Sequence, residues 1–525
     1  MIELMICSYG FITISNIRFS VADDYLINNI ISGTFGNNYD YQLLYINNAL
    51  GIILKFFYNL IPCINIYTLY LIIILCISFS KVIKNIIRNK KYILLPIILI
   101  MYIVTLFNIT YTIIAYLSVA IGLIEIIFNK YKGNWLEYFL IINGILLRKE
   151  VFIPTFAVIG TICIIKLVKN KDYNEIKNLF IVCMISMCLV ISESIIYKTD
   201  EILNQFKLWH KASKNIRDYK EINYNKYKKI FMQVNWNEND IKLFYSWNFA
   251  DKEKFSIKNM KIVVNSIDLK DRYNFNFIEI IKNYFNQFYD NQINLNNCYI
   301  IVFLLLLLAI IIKAKEKKES IFIFIITMSL NIILIVRNRY PFRVVYSQYL
   351  IAIIYYTYEI CNMKTKINKK NSSSIAIAFL MCILYIVFFV SQYNQVSYDY
   401  QQQEKKKQYI IEKLREKKAL CIADSDTYNK LTMNYKISER RKIGEYDFLI
   451  KAGGGDCFSN RYYDYIRRYN LEYSDNLYEN LKNNDVYYIG NINDSLIKYL
   501  KENIDTTKSL KELEKIDKII IYKYQ

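Results

Sequence analysis

Apolar positions along this chain gather into long unbroken blocks. Tyr299 to Ile312 and Ser374 to Val390 contain no charged side chain. Such blocks predict helices that are apolar all round, which lipid covers more readily than a protein core does. Eleven spans are expected, over 1–18, 64–80, 92–109, 111–128, 135–147, 151–168, 178–196, 298–312, 320–336, 344–361 and 373–391. Several fall short of the ~20 residues a straight span needs. Fusing 135–168 into one helix would leave Arg148, Lys149 and Glu150 in mid-membrane at high cost, so two spans are expected there. The first span opens at Met1 without a basic leader, which suggests a start further upstream, and no small-x-small site marks it as a cleavable signal.

Two segments break the pattern. From Leu43 to Tyr58 a broad apolar stripe faces away from Asn47, Asn48 and Lys55, which predicts a helix lying in the membrane interface near 43–60. Beyond 392 the chain turns polar. A helix over 400–418 precedes short candidate strands at 419–423, 446–450, 485–489 and 517–523. The expected fold class is therefore an all-α polytopic membrane protein of about eleven spans (1–391) with a small external α/β C-terminal domain (392–525).

Charge orients the spans. Lys81, Lys84, Arg88, Lys90 and Lys91, then Lys130 and Lys132, then Lys166, Lys169, Lys171 and Lys177 occupy alternate loops, followed by Lys313, Lys315, Lys317 and Lys318 and by Lys364, Lys366, Lys369 and Lys370. The positive-inside rule puts these loops in the cytoplasm. The loops 19–63 and 197–297 and the tail 392–525 then face outward, and the chain is expected in the plasma membrane with a cytoplasmic N-terminus and an external C-terminus. The net charge of +21 reads as topology, and nucleic acid is not an expected partner. With 54% hydrophobic residues and only 13 Gly and 4 Pro, a soluble enzyme, a disordered chain and a disulfide scaffold are excluded. The abundant Tyr, Ile, Asn and Lys are also what an AT-rich coding sequence produces. Cys76, Cys163, Cys183, Cys188 and Cys382 sit in apolar runs as small hydrophobes, and without a CxxC a zinc site is not expected. Cys421 and Cys457 could form a disulfide in the outer domain.

Candidate chemistry lies on the outer side. Asp23 and Asp24 are adjacent carboxylates at the membrane surface, where mutual repulsion and desolvation are costly. They read either as a helix N-cap or as a general base or ligand for a hard cation. Arg148 either pairs locally with Glu150 or meets a lipid phosphate. Arg337, Arg339 and Arg343 share one outer turn without an acid, as interfacial anchors or as a phosphate clamp. His210, the sole histidine, lacks a partner set and reads as a surface residue. Lys451-Ala452-Gly453-Gly454-Gly455-Asp456 reads as a turn, or as an anion-binding nest without the Gly-Lys-Ser/Thr that would complete a P-loop.

The first span followed by Asp23-Asp24, the interfacial helix 43–60, the basic loop 81–91 and the Arg148 turn together resemble the C-type glycosyltransferase superfamily, over about 1–391. Many members carry a His-Pro-Pro-like element before the interfacial helix, where this chain has Asp40-Tyr41-Gln42. The resemblance implies a polyprenyl-phosphate-sugar donor, Asp23 or Asp24 as base, and Arg148, Arg337, Arg339 or Arg343 holding the lipid phosphate. An acceptor hydroxyl would attack the anomeric carbon with inversion, and a divalent cation (Mg²⁺ or Mn²⁺) could share the charge on the leaving phosphate. The acceptor is left open. Two other classes fit parts of the sequence: a lipid-linked oligosaccharide transporter or flippase, and a non-enzymatic cell-surface membrane protein.

Overall fold

The computed structural model describes residues 1–128, 134–162, 173–289, 298–313, 317–363, 402–454 and 457–525. Most of these are helical. Four helices are long and apolar enough to cross a membrane: Ile66–Arg88, Tyr111–Phe128, Phe180–Thr199 and Lys318–Val336. Ile2–Ile14, Tyr92–Phe107, Trp135–Leu147 and Tyr299–Ile312 are apolar but shorter. The expected span 344–361 lies in the helix Phe342–Asn362. The span expected over 151–168 is not one α-helix: Lys149–Val151 is a 3-10 turn, Phe152–Thr155 is α-helical and Phe156–Gly160 is π-helical. The span 373–391 and many basic residues of the expected cytoplasmic loops lie outside the described residues.

Tyr111–Phe128 is the central helix, 94% buried along its apolar window. Trp135–Leu147 packs on it at backbone range. A Cβ on Gly122 would stand 2.8 Å from the Glu137 carbonyl, and one on Gly144 would stand 2.7 Å from the Ala115 carbonyl. Small residues at such a crossing let two helices gain dispersion contacts that lipid cannot supply. Phe180–Thr199 and Lys318–Val336 are peripheral, only 22% and 28% buried. Met184, Met187, Ile191 and Ile195 line the open face of the first, which suits lipid. Polar groups tie helix ends together: Lys81 to Glu137 at 2.6 Å, and Tyr358 to Glu125.

The C-terminal region is a five-stranded sheet, β1 Leu420–Ala423, β2 Leu449–Lys451, β3 Val486–Ile489, β4 Leu510–Ile516 and β5 Ile519–Tyr524, in the order β2-β1-β3-β5-β4. β1 is parallel to both β2 and β3, pairing Cys421 with Leu449 and Tyr487, while β5 runs antiparallel to β3 and β4. The fully buried β1 is a continuous apolar run, as a central parallel strand should be. β4 was not expected from the sequence. Its residues Lys511 to Lys515 are exposed and, apart from Leu513, charged, and a bulge between Glu512 and Glu514 breaks the alternation. Cys421 and Cys457 are both buried free thiols, so the disulfide does not form.

This region is not a detached domain. One hydrophobic core runs from the helices into Tyr428, Tyr435, Tyr446 and Leu449, and a second joins residues 209–267 to the sheet. The Gly444 and Tyr446 amides donate to the Gly33 and Thr34 carbonyls, both at 2.9 Å. Asp40 accepts from Arg461 at 2.8 Å, and Gln42 and Asn460 both donate to Asp200. Asp40-Tyr41-Gln42 thus fastens the loop 19–63 to the segment 197–297 and to the C-terminal sheet. The three stretches expected on the outer face meet one another.

Candidate functional site

Asp23 and Asp24 lie in the first turn of the helix Ala22–Ile31, and the N-cap is Val21. The capping role for the pair is therefore incorrect. Adjacent residues on a helix point about 100° apart, and the two carboxylates have different surroundings. Asp24 is fully buried. Its Oδ1 accepts from the Tyr67 hydroxyl at 2.6 Å and from the Tyr111 amide, the first of the central helix, at 2.8 Å. Its Oδ2 has no hydrogen-bond partner among the described residues. Burial, reinforced by the charge of Asp23, pushes the carboxyl up to about 7 against those two hydrogen bonds and Arg343. Asp23 lines a cavity of about 580 Å³ and forms an ion pair with Arg343 Nη1 at 2.8 Å. Arg343 opens the helix Phe342–Asn362, which Pro341 precedes at the N-cap.

The other arginines separate. Arg148 stands 3.8 Å from Glu150, donates to Thr112 Oγ1 and lies 5.5 Å from the Tyr111 ring centre. It therefore shares the N-terminal end of the central helix with Asp24. Arg339 pairs with Asp218 at 2.5 Å, and Arg337 is exposed where Lys318–Val336 ends. The turn that carries no acid in sequence receives two acids from elsewhere in the chain. Among the described residues no group of three or more His, Cys, Asp or Glu side chains is placed to hold a metal ion.

Two residues gain meaning only from the fold. His210 is buried beside Tyr45 and Phe206, contrary to the surface position expected, and burial with Arg217 and Lys214 nearby holds its pKa well below the usual value. Arg217, which no local pattern marks, covers the Trp247 ring at 3.8 Å while its Nε and Nη1 have no hydrogen-bond partner among the described residues. Burial lowers its pKa to about 10, with Tyr45 and Asp218 opposing the shift, and it lies within electrostatic reach of Asp23. A desolvated guanidinium with open donors suits an anion.

The rest of the cavity comes from other parts of the chain. Tyr45 adds to the side of Asp23, Trp247 and Asn248 come from the segment 197–297, Asp424, Lys451 and Asn491 come from the ends of β1, β2 and β3, and Asp426 and Asn429 come from the helix Ser425–Thr432 that follows β1. Trp247 has φ of 62°, a conformation unusual for a bulky residue. Gly453 and Gly454 explain how it fits: a Cβ on Gly453 would meet the Trp247 carbonyl at 2.5 Å, and one on Gly454 would meet its ring at 2.9 Å. Gly453 admits the Trp247 backbone and Gly454 its ring, while Gly455 and Asp456 lie outside the described residues.

No protein-family model, curated protein or solved structure matches this chain.

Proposed function

We propose that the chain is a membrane glycosyltransferase that moves a sugar from a polyprenyl-phosphate donor to an acceptor hydroxyl on the external face. The observation that carries this reading is Asp23: it lines a cavity shared by the helix Ala22–Ile31, the segment 245–248 and the C-terminal sheet, and it is ion-paired to Arg343. Asp23 acts as the base, taking the proton of the acceptor hydroxyl as that oxygen attacks the anomeric carbon. The bond from the anomeric carbon to the phosphate oxygen breaks, and configuration inverts. Arg343 and Arg217 take the charge of the departing phosphate, with Arg148 nearby at the start of the central helix. An arriving phosphate competes with Asp23 for Arg343, which releases the carboxylate to act as base.

The membrane half of the proposal rests on the four long apolar helices and on helix ends that pair as alternate crossing requires. The exposed face of the helix Asn48–Leu60, bearing Ile52, Ile53, Phe56, Phe57 and Leu60, supports an interfacial position. Asp24, buried away from the cavity lining, holds the first turn against the central helix and is not the base. The test is transfer from radiolabelled polyprenyl-phosphate sugars by purified protein in liposomes, followed by chromatography of the products. Asp23→Asn should lower the rate by ~10²–10⁴-fold; full transfer by that variant would refute the assignment.

A further inference from the structure

We propose that the strand ends of the C-terminal sheet form a binding subsite for a neutral polyhydroxy group, a glycosyl unit, on the wall of the cavity that Asp23 also lines. The inference rests on the transferase reading only in taking this unit to be a substrate. In parallel sheets, ligands bind beyond the carboxyl ends of strands where successive connections leave in opposite directions. β1 lies between β2 and β3, so the chain goes to one side of it and then returns to the other. Asp424 follows β1, Lys451 ends β2, and Asn491 follows β3 after Gly490.

Asp424 is a structural member of this rim. Its carboxylate accepts from the Asp426, Thr427 and Asn491 amides and from the Thr427 hydroxyl, at 2.8 to 3.0 Å. A Cβ on Gly490 would fall 1.7 Å from Asp424 Oδ2, so glycine is needed there. The strand ends are thereby tied together before any ligand arrives. Around them stand polar groups whose needs are unmet. Asn248 is 4% exposed and lines the cavity, yet its Oδ1 has no hydrogen-bond partner among the described residues. Asn429 Oδ1, on the same wall, is likewise buried without one. Orphaned buried acceptors are costly, and a ligand that donates hydrogen bonds relieves them.

The lining selects the ligand class. Asp23, Asp424 and Asp426 outnumber Lys451, so a second phosphate is disfavoured on this wall. Amides and carboxylates accept from sugar hydroxyls, and the volume of about 580 Å³ falls in the range of small-molecule sites, roughly 300–1,000 Å³.

The experiment is saturation-transfer NMR on the full chain in nanodiscs, with a panel of neutral methyl glycosides and with inorganic pyrophosphate as competitor. At least one glycoside should bind, pyrophosphate should not displace it, and Asn248→Leu should weaken it roughly tenfold. Asp426→Ala changes an exposed side chain and should also weaken binding, which decides the matter if Asn248→Leu does not fold. Displacement by polyprenyl-phosphate sugar but not by bare polyprenyl phosphate would identify the donor's sugar; displacement by neither would identify the acceptor's. No binding by any glycoside, displacement by pyrophosphate, or wild-type binding by folded variants would overturn the subsite. Glycoside binding without transfer by the wild type would instead count against the transferase reading alone, and transfer without binding here against the subsite alone.

Discussion

Asp24→Asn separates structure from catalysis at the acidic pair. A carboxyl moved from 3.8 to about 7 by burial carries ~4 kcal/mol against its ionised form. Below pH 4 the group is protonated in the folded and the unfolded chain, and its titration costs nothing. Between pH 4 and 7 the unfolded chain has released a proton that the folded chain keeps, so stability falls as pH rises. Above pH 7 both states are ionised and the cost levels off. Asparagine is neutral throughout, and its oxygen can still accept from Tyr67 and the Tyr111 amide. Its NH₂ replaces the unpartnered Oδ2, at a cost of ~1–3 kcal/mol. The variant should therefore be less stable than wild type near pH 4.5 and as stable or more stable at pH 8. The assay is thermal unfolding of detergent-solubilised protein from pH 4.5 to 8.5, followed by intrinsic fluorescence. Parallel profiles for the two proteins would refute the buried, ionisable role of Asp24. Transfer activity should survive, because Asp24 does not line the cavity; its loss in a stable Asp24→Asn protein would return the role of base to Asp24.

Reporter fusions after residues 88, 171, 317 and 367 should read as cytoplasmic, and those after 40, 250 and 525 as external; a cytoplasmic C-terminus would invert the site. Lys81→Met strands the buried Glu137 carboxylate, so detergent unfolding should show a loss of ~3–5 kcal/mol, with Glu137→Gln milder because its amide can still accept from the Asn134 amide. Gly490→Ala should unseat Asp424 and make the C-terminal sheet trypsin-sensitive, whereas Gly10→Ala, with nothing within 4 Å of the new Cβ, should not. Arg343→Lys keeps the charge beside Asp23 but loses the planar fork, and should reduce transfer without abolishing it.

The polar helix near 400–418 and strands β1, β2, β3 and β5 were legible from the sequence because apolar runs and turn residues are local signals. So were the long apolar helices and the helix Asn48–Leu60, although that helix begins five residues later than its apolar stripe. At Asn47 the side chain accepts from the Ala49 amide and starts the helix there. β4 was hidden because an exposed edge strand needs no apolar face. The site was legible only as a set of residue types. Sequence named Asp23, Asp24 and Arg343 but could not say which carboxylate meets the arginine, since that depends on helix phase and on a partner 320 positions away. It could not bury His210, expose the open donors of Arg217, or set the ends of β1, β2 and β3 on the cavity of Asp23. Each of those depends on contacts between distant segments, and desolvation and ion pairing follow from what stands within a few ångströms, which only the packed chain decides.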